Sequence, residues 1–289
     1  MTRRRTSTVP GKSRFDDIYD QPDPRAYFRR LEPLAYRIPH HAQPVFRRVL
    51  TARDATPGPR GPFAVLDLCC SYGINAALLN HHLTLDELYA HYTGPEARAC
   101  SRAELVERDK EFYTSRRRAD PIRVLGLDAA GNAVRYAQDV GLLDDGFVED
   151  LESAEPSPRL RRAMAGVGLI TVTGGVGYIS ARTFQALLES AQLPVWVAAF
   201  VLRAVPYEPV VRCLAAHGLA TERHTARTYP QRLFTGTSEQ RSAIEALTAA
   251  GLDPAGKEAD GWYHTALYLS RPGQAQPGLE VLVSEAGIG

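Results

Sequence analysis

The sequence lacks several features that would assign it to a membrane, to an oxidising compartment or to a metal. No apolar run reaches the roughly 18–20 residues that a membrane span needs. The start, Met1–Arg5, is basic, but no apolar signal region follows it, so we expect a cytoplasmic protein. Of the four cysteines, Cys69 and Cys70 are adjacent, and Cys100 and Cys213 stand alone. With no Cys-x-x-Cys spacing, we expect neither a metal site nor a stable disulfide.

An excess of charge is absent as well. The 34 basic and 33 acidic residues give a net charge of +1, which argues against electrostatically driven binding of nucleic acid. The 44% hydrophobic and 23% charged residues are ordinary for a globular chain. A length of 289 residues allows one large α/β domain with additions.

The stretch Phe63–Asn75 is the most informative part of the chain. Phe63–Leu68 is apolar except for Asp67 and predicts a buried strand of a parallel sheet. The small residues of Cys69–Gly73 follow, and a helix is predicted from Ile74. An acid and a turn of small residues between a strand and a helix are typical of a nucleotide site at the carboxyl edge of a sheet.

Strands and helices then alternate, which predicts a doubly wound α/β fold. We divide the chain into a disordered arm (1–13), an aromatic-rich lid segment with short helices (14–58), an α/β domain (59–271) and a loose tail (272–289). The domain carries an insertion at about 81–121, because Asp67 and Asp128 end successive strands and a plain βαβ unit has only about 30 residues.

The insertion shows two capping boxes, Thr84 with Glu87 and Ser101 with Glu104. They predict two helices at about 84–92 and 101–116. Because a helix that leaves the carboxyl end of one strand returns to the amino edge of the next, we expect the insertion near the amino edge. Packing or oligomerisation is its expected role there.

Four segments together resemble class I S-adenosylmethionine (SAM) dependent methyltransferases. Val65–Gly73 is similar to that family's first motif, V-L-D-L-G-C-G-x-G, and Leu125–Ala129 to its second, whose acid binds the ribose. Phe147–Leu151 is similar to the third motif, near the adenine, and Val167–Thr173 with the following glycines takes the place of the fourth. No single subfamily matches.

The resemblance implies a Rossmann-like domain at 59–271 with a mostly parallel seven-stranded sheet and an antiparallel last strand. It also implies SAM as cofactor and S-adenosylhomocysteine (SAH) as product. The cofactor-binding residues that it implies are Asp67, Cys69, Cys70, Ser71, Tyr72, Gly73, Asp128, Ala129, Asp150, Leu151, Thr173 and Gly174.

Cys69 and Ser71 depart from the family, because glycine is usual at both positions and a positive φ there is costly for other residues. Structural alternatives exist for each motif residue. Cys69 and Cys70 can be small filler at a tight turn, Asp67 can bond its own loop, and Asp128 can cap the next helix. A nicotinamide dehydrogenase is disfavoured, because no Gly-x-Gly-x-x-Gly lies between the first strand and its helix.

On the substrate side, Tyr178 follows the fourth strand and His40 lies in the lid segment, and these are the predicted catalytic residues. Tyr19, Tyr36, Tyr178 and Tyr229 are predicted substrate contacts, with simple packing as the alternative. The loop after the fourth strand lacks Asn-Pro-Pro-Tyr, which disfavours methylation of amino groups on nucleic-acid bases.

The predicted function is therefore a methyltransferase acting on a small molecule of metabolite or natural-product type, with no nucleic-acid or membrane partner. Two alternatives stay open. One is the same fold and cofactor with non-methyl chemistry, either aminocarboxypropyl transfer or cyclisation of SAM. The other is a non-catalytic SAM-binding protein. A homodimer is also left open.

Overall fold

The computed structural model describes residues 16–56, 62–273 and 277–284, with no account of the side chains of 16 and 17. The predicted arm at 1–13 lies outside the described residues. Eight strands form one sheet in the order β3-β2-β1-β4-β5-β8-β6, with β7 also paired to β8. The strands are β1 Ala64–Leu68, β2 Val124–Asp128, β3 Asp145–Val148, β4 Val167–Thr173, β5 Trp196–Leu202, β6 Leu219–Arg223, β7 Tyr229–Leu233 and β8 Trp262–Pro272.

Thirteen α-helices are described along with the strands. They are α1 Asp16–Tyr19, α2 Arg25–Leu31, α3 Ile38–Asp54, α4 Ile74–Asn80, α5 Leu85–Thr93, α6 Pro95–Ala99, α7 Arg102–Thr114, α8 Gly131–Asp139, α9 Pro158–Met164, α10 Ala181–Glu189, α11 Glu208–Ala216, α12 Thr237–Ala249 and α13 Leu279–Ser284. In the described ranges none of them combines the length and apolarity of a membrane span.

The predicted fold class is confirmed. Strands β1 to β5 are parallel neighbours in the sheet, and β8 runs antiparallel to β5. Alternate residues enter different cores, so that Val65 packs on one face and Leu66 on the other. Burial on both faces explains why the β1 segment is an apolar run rather than an alternating one.

The sheet has one strand more than the predicted seven. The segment at 220–234, predicted as a single extended stretch broken at Pro230, forms two strands that share one edge of β8. Leu219 pairs with Pro272 at one end of β8, and Tyr229 pairs with Thr265 towards the other. β8 has 11 residues and β6 and β7 have five each, so one long strand accommodates both.

Part of the predicted lid is a helix of the α/β layer. α3 packs on α4, β4 and β5. Its side chains Gln43 and Arg47 donate to the carbonyl of Leu78 at 2.9 and 2.7 Å, near the end of α4. These bonds satisfy carbonyls that a helix end leaves unpaired. The residues before α3 extend over the carboxyl edge of the sheet, where Asp20 bonds the start of α8.

The insertion has three helices instead of two, and its position differs from the prediction. Both capping boxes form, at the starts of α5 and α7, and the short helix α6 lies between them. The insertion packs on α2, with Phe28 stacked on Tyr92 at 4.6 Å and the Tyr89 hydroxyl bonded to the Tyr36 carbonyl at 2.9 Å. These aromatic contacts hold it beside the N-terminal segment rather than only at the amino edge.

A buried carboxylate joins the insertion to the rest of the domain. Asp109 of α7 is fully buried and accepts hydrogen bonds from Tyr92, from Tyr136 of α8 and from the His91 ring. The three O···O and N···O distances are 2.5, 2.7 and 2.7 Å. Because three polar groups surround it, the charge is buried without being left unpaired.

Within the segment expected to be a loose tail, Leu279–Ser284 forms a helix. α13 packs on α3 and buries Leu279, Leu282 and Val283. Glu222 of β6 accepts the Leu279 N–H at 2.8 Å and fixes the start of this helix. The apolar side chains therefore hold residues 279–284 against the domain, although sequence composition favoured a free tail.

Candidate functional site

The turn between β1 and α4 has an unusual backbone. Cys69, Ser71 and Gly73 have φ values of 61°, 48° and 75°. Glycine adopts such angles freely, whereas an L-residue with a side chain pays roughly 1–2 kcal/mol. The turn thus keeps the backbone of a glycine-rich loop with side chains at two of the three positions.

Asp128, at the end of β2, holds this turn. Its Oδ2 accepts the Ser71 N–H at 3.0 Å, and its Oδ1 accepts the Ala130 N–H at 3.0 Å. The carboxylate is half-buried and lies beside a small cavity. Asp128 thus bonds its own turn and the neighbouring one, whereas the N-cap of α8 is Ala130 and has no side-chain cap, so the helix-capping alternative is not what forms.

Cys69 fills the space between the turns after β1 and β4. A Cβ atom placed on Gly175 would lie 2.6 Å from the Cys69 Sγ and 2.7 Å from its Cβ. Glycine at 175 is thus required by the side chain at 69. Gly174, just before it, also has a positive φ of 69°.

The side chains of Cys70 and Tyr72 face elsewhere, although both belong to the predicted cofactor-binding turn. Cys70 is buried against Gly126 of β2, and burial raises the pKa of its thiol well above the ordinary value. The Tyr72 hydroxyl accepts the Gln21 N–H at 2.9 Å and lies 3.1 Å from the Ile18 carbonyl. Their side chains stabilise the core and the N-terminal segment.

Asp67 is fully buried and only half satisfied. Its Oδ1 accepts from Asn75 Nδ2 at 2.9 Å and from Thr171 Oγ1 at 3.0 Å. Its Oδ2 is buried and has no hydrogen-bond partner among the described residues. Burial raises the pKa of this carboxyl to about 7. Asn75 Nδ2 also donates to Thr173 Oγ1 at 3.1 Å, which links Asp67 to the end of β4.

A cavity of about 10 Å³ lies beside Asp128, between the turns after β1, β2 and β3 and the start of α10. This volume is enough for one water. The lining residues include three of the predicted cofactor-binding positions. They are Leu68, Cys69, Leu127, Asp128, Glu149, Leu151, Ile179 and Thr183.

Hydrogen bonds close this cavity on one side. Glu152 accepts from the Ser180 N–H at 2.8 Å, from the Ser180 hydroxyl at 2.8 Å and from the Thr183 hydroxyl at 2.6 Å. Arg182 Nε donates to the Leu151 carbonyl at 3.0 Å. Asp150, predicted near the adenine, accepts from the Glu152 N–H and the Ser153 hydroxyl in its own turn.

The N-terminal segment covers the carboxyl edge of the sheet. Asp20 Oδ1 accepts the Asn132 N–H at the start of α8, at 2.6 Å. Tyr19 lies close enough to Tyr36 and Tyr178 for their charges to raise its pKa, after burial itself. The rings of Tyr19 and Tyr36, two of the predicted substrate contacts, both contact the Tyr27 ring, at centroid distances of 5.8 and 6.3 Å.

Tyr229 and His40 are placed differently. Tyr229 is buried in the core, with its ring 5.1 Å from that of Phe200 and its hydroxyl 2.8 Å from His224 Nδ1. His40 is exposed on the first turn of α3, where its ring contacts that of His41. Neither lies beside Tyr19, Tyr36 and Tyr178. In the described residues no group of three metal-ligating side chains is found.

No family model and no curated protein match this chain. Similar solved structures include the plantazolicin methyltransferase BamL with a triazolic desmethylPZN analog and SAH, at 12% identity and a TM-score of 0.43. The aligned part covers 81% of this chain and 86% of BamL. Magnesium protoporphyrin IX methyltransferase from Synechocystis PCC 6803 with SAH is 11% identical, with 82% and 84% covered and a TM-score of 0.41.

The [4+2]-cyclase SpnF is similar as well, at 13% identity, with 78% of this chain and 80% of SpnF covered and a TM-score of 0.38. At such identities and TM-scores, these similarities carry no conclusion about ligand or reaction. The sheet itself has the arrangement that the sequence resemblance implies, parallel with an antiparallel strand near one edge. The chain has a Rossmann-like α/β fold.

Proposed function

We propose that this protein is a SAM-dependent methyltransferase acting on a small molecule. The observation that carries the proposal is the backbone of the β1–α4 turn. Two residues with side chains keep a positive φ there, at a cost of roughly 1–2 kcal/mol each. Strained backbone of this kind clusters at ligand sites, where the surrounding structure maintains it.

The turn offers buried polar groups that a bound cofactor could hydrogen-bond. Asp67 Oδ2 and Ser71 Oγ are both buried without a partner among the described residues. Such groups are costly unless a ligand or water bonds them. The residues that would hold SAM are the turn at 69–73, Asp67 and Asp128, with Ala129, Asp150, Leu151, Thr173 and Gly174 around them. The 10 Å³ cavity has room for one water and not for an adenine, so binding of SAM here would require the lining to open.

When bound, SAM supplies an electrophilic methyl group on a positively charged sulfur. The chain's own contribution is to position the substrate and to exclude water. Tyr19 and Tyr36 of the N-terminal segment lie near Tyr178, and aromatic faces suit a cation. Tyr178 lies in the loop after β4 and is the proposed catalytic and substrate contact. Because the N-terminal segment covers the carboxyl edge of the sheet, a small substrate is favoured over a macromolecule.

Calorimetric titration with SAM tests the proposal. We expect binding in the micromolar range, weakened at least about tenfold by Asp128→Asn, because one carboxylate oxygen bonded to the turn is lost. Asp139→Asn is the matched control, since Asp139 pairs with Arg102 at the surface. Undetectable binding by the unmodified protein would overturn the proposal.

Mass spectrometry of the spent cofactor then separates the three functions. SAH indicates methyl transfer. Methylthioadenosine indicates aminocarboxypropyl transfer or cyclisation. Binding without any turnover, when tested with extracts that contain candidate small molecules, supports a non-catalytic SAM-binding protein.

A further inference from the structure

Strand β7 contains a bulge at Gln231. Pro230 pairs with His264 and Arg232 pairs with the next residue, Tyr263, so Gln231 faces no residue of β8. The Gln231 carbonyl instead accepts the Arg37 N–H at 2.8 Å. Bulges are frequent beside active sites, where the extra residue turns a side chain in a new direction.

The Gln231 side chain is buried without being satisfied. Its residue exposure is 4%, and its Oε1 has no hydrogen-bond partner within the described part of the chain. A Cβ atom on Gly174 would lie 2.5 Å from the Gln231 Nε2. Gly174 therefore makes room for this carboxamide. A buried amide without partners is unfavourable, and its presence in a folded protein calls for an explanation.

The carboxamide lies next to the polar groups of the proposed site. Gly174 follows Thr173, whose hydroxyl accepts from Asn75, and Asn75 connects to Asp67. Arg37, whose N–H bonds the Gln231 carbonyl, follows Tyr36 of the N-terminal segment. The bulge thus brings a buried acceptor that has no partner among the described residues, with the amide nitrogen beside Gly174, from an edge strand to the carboxyl end of β4.

We propose that Gln231 determines substrate specificity by pairing with a lactam or a primary carboxamide. A glutamine side chain presents an acceptor and two donors side by side in one plane. A group with N–H next to C=O satisfies both at once, whereas an ester or a carboxylate satisfies only the donors. The inference rests on the proposed function solely for the location of the transfer site.

The test uses 2-pyridone as a lactam probe and 1-methyl-2-pyridone as its match without the N–H. Ligand-observed NMR titration gives the affinity of each for the full chain. We expect 2-pyridone to bind at least about tenfold more tightly, the value of roughly one to two hydrogen bonds. Gln231→Leu should reduce the affinity for 2-pyridone to that of the methylated probe.

Gln240→Leu is the matched control, because the Gln240 amide donates to the carbonyls of Glu258 and Ala259 at 2.9 and 3.0 Å. It should leave binding of 2-pyridone unchanged and lower the thermal unfolding midpoint. Gln231→Leu should raise that midpoint, because it removes an unpaired buried amide without breaking a bond. A lowered midpoint for Gln231→Leu would assign the amide a structural role and overturn the inference.

Two further results would overturn it: no binding of 2-pyridone to the unmodified protein, or equal binding to Gln231→Leu. SAM binding measured on the same samples separates the two proposals. If SAM fails to bind while the pyridone selectivity holds, only the proposed function falls. If SAM binds to both proteins and the selectivity is absent, only the role of Gln231 falls.

Discussion

Replacement of Gly175 by alanine probes the contact that keeps the β1–α4 turn in place. The new Cβ would lie 2.6 Å from the Cys69 Sγ and 3.1 Å from the Val172 Cγ2. The Cys69 side chain cannot withdraw easily, because its own backbone is fixed at a φ of 61°. Overpacking of this kind costs about 1–3 kcal/mol of unfolding free energy.

Cys69→Gly should remove most of that cost. On its own this change is nearly neutral, because three effects offset one another. Glycine adopts the φ of 61° without strain, which stabilises the folded state by about 1–2 kcal/mol. Its greater freedom in the unfolded chain costs about 0.4–1 kcal/mol. Loss of the half-buried CH₂–SH group removes roughly a further 0.5–1 kcal/mol.

A double-mutant cycle measured by urea unfolding gives the coupling between the two positions. Combined with Cys69→Gly, Gly175→Ala should cost far less than alone, and we expect a coupling energy of about 1–3 kcal/mol. The rescue should be incomplete, because the Val172 methyl group stays close. Circular dichroism follows the unfolding of the whole sheet.

Gly126→Ala provides the matched control. Its Cβ would meet the Cys70 Sγ at 2.7 Å and the Leu143 Cδ1 at 2.5 Å, on β2 rather than after β4. We expect it to destabilise as Gly175→Ala does, but Cys69→Gly should not rescue it. Additive effects at positions 69 and 175, within about 0.5 kcal/mol, would refute the contact and with it the account of the turn.

Three further predictions concern stability in urea. The folded-state pKa of Asp67 is raised from 3.8 to about 7, so the native state keeps a proton that the unfolded chain releases. The unfolding free energy should fall by up to about 4 kcal/mol as pH rises from 4 to 7, and Asp67→Asn should flatten this slope. Asp109→Asn should cost about 2–4 kcal/mol, because three buried donors lose their carboxylate; a loss below about 1 kcal/mol would contradict the cluster. Ser101→Ala should cost about 1 kcal/mol, and no measurable change would contradict the cap.

Elements set by local signals were predictable from the sequence. The capping boxes at Thr84 and Ser101 form, because an N-cap hydroxyl and a carboxylate three residues later need only one turn of helix. The strand predicted at Phe63–Leu68 was equally clear, since burial on both faces requires an apolar run, and β1 spans Ala64–Leu68. These features depend on neighbours in sequence and not on distant packing.

Elements set by distant contacts were missed or misplaced. The insertion lies beside α2 because Phe28 and Tyr92 stack, and nothing in either segment identifies the other as its partner. α13 was assigned to a loose tail because Gly and Pro surround it, yet its three buried apolar side chains hold it on α3. β6 and β7 were joined into one stretch because only the length of β8 shows that two strands can pair with it.

The same division applies to the candidate site. Asp67 and Asp128 were identifiable because each ends a strand, and the ends of parallel strands meet at one edge. Aromatic residues gave no such guide. Tyr36 lies in the N-terminal segment and Tyr229 lies in the core, although the sequence predicts both as substrate contacts. Gln231 carried no signal at all, because its exposure to the site depends on a bulge against β8.

The strain at the β1–α4 turn is maintained by the folded protein itself. Asp128 accepts the Ser71 N–H, and the Cys69 side chain lies against Gly175. These two contacts keep the turn in this conformation when no ligand is bound. The cost is therefore met during folding and not at the moment of binding, which is the condition for a preorganised site. Asp67 Oδ2, Ser71 Oγ and Gln231 Oε1 are buried at or beside this edge and have no hydrogen-bond partner in the described part of the chain. Strain and unsatisfied groups concentrated in one place favour ligand binding there over a merely structural turn.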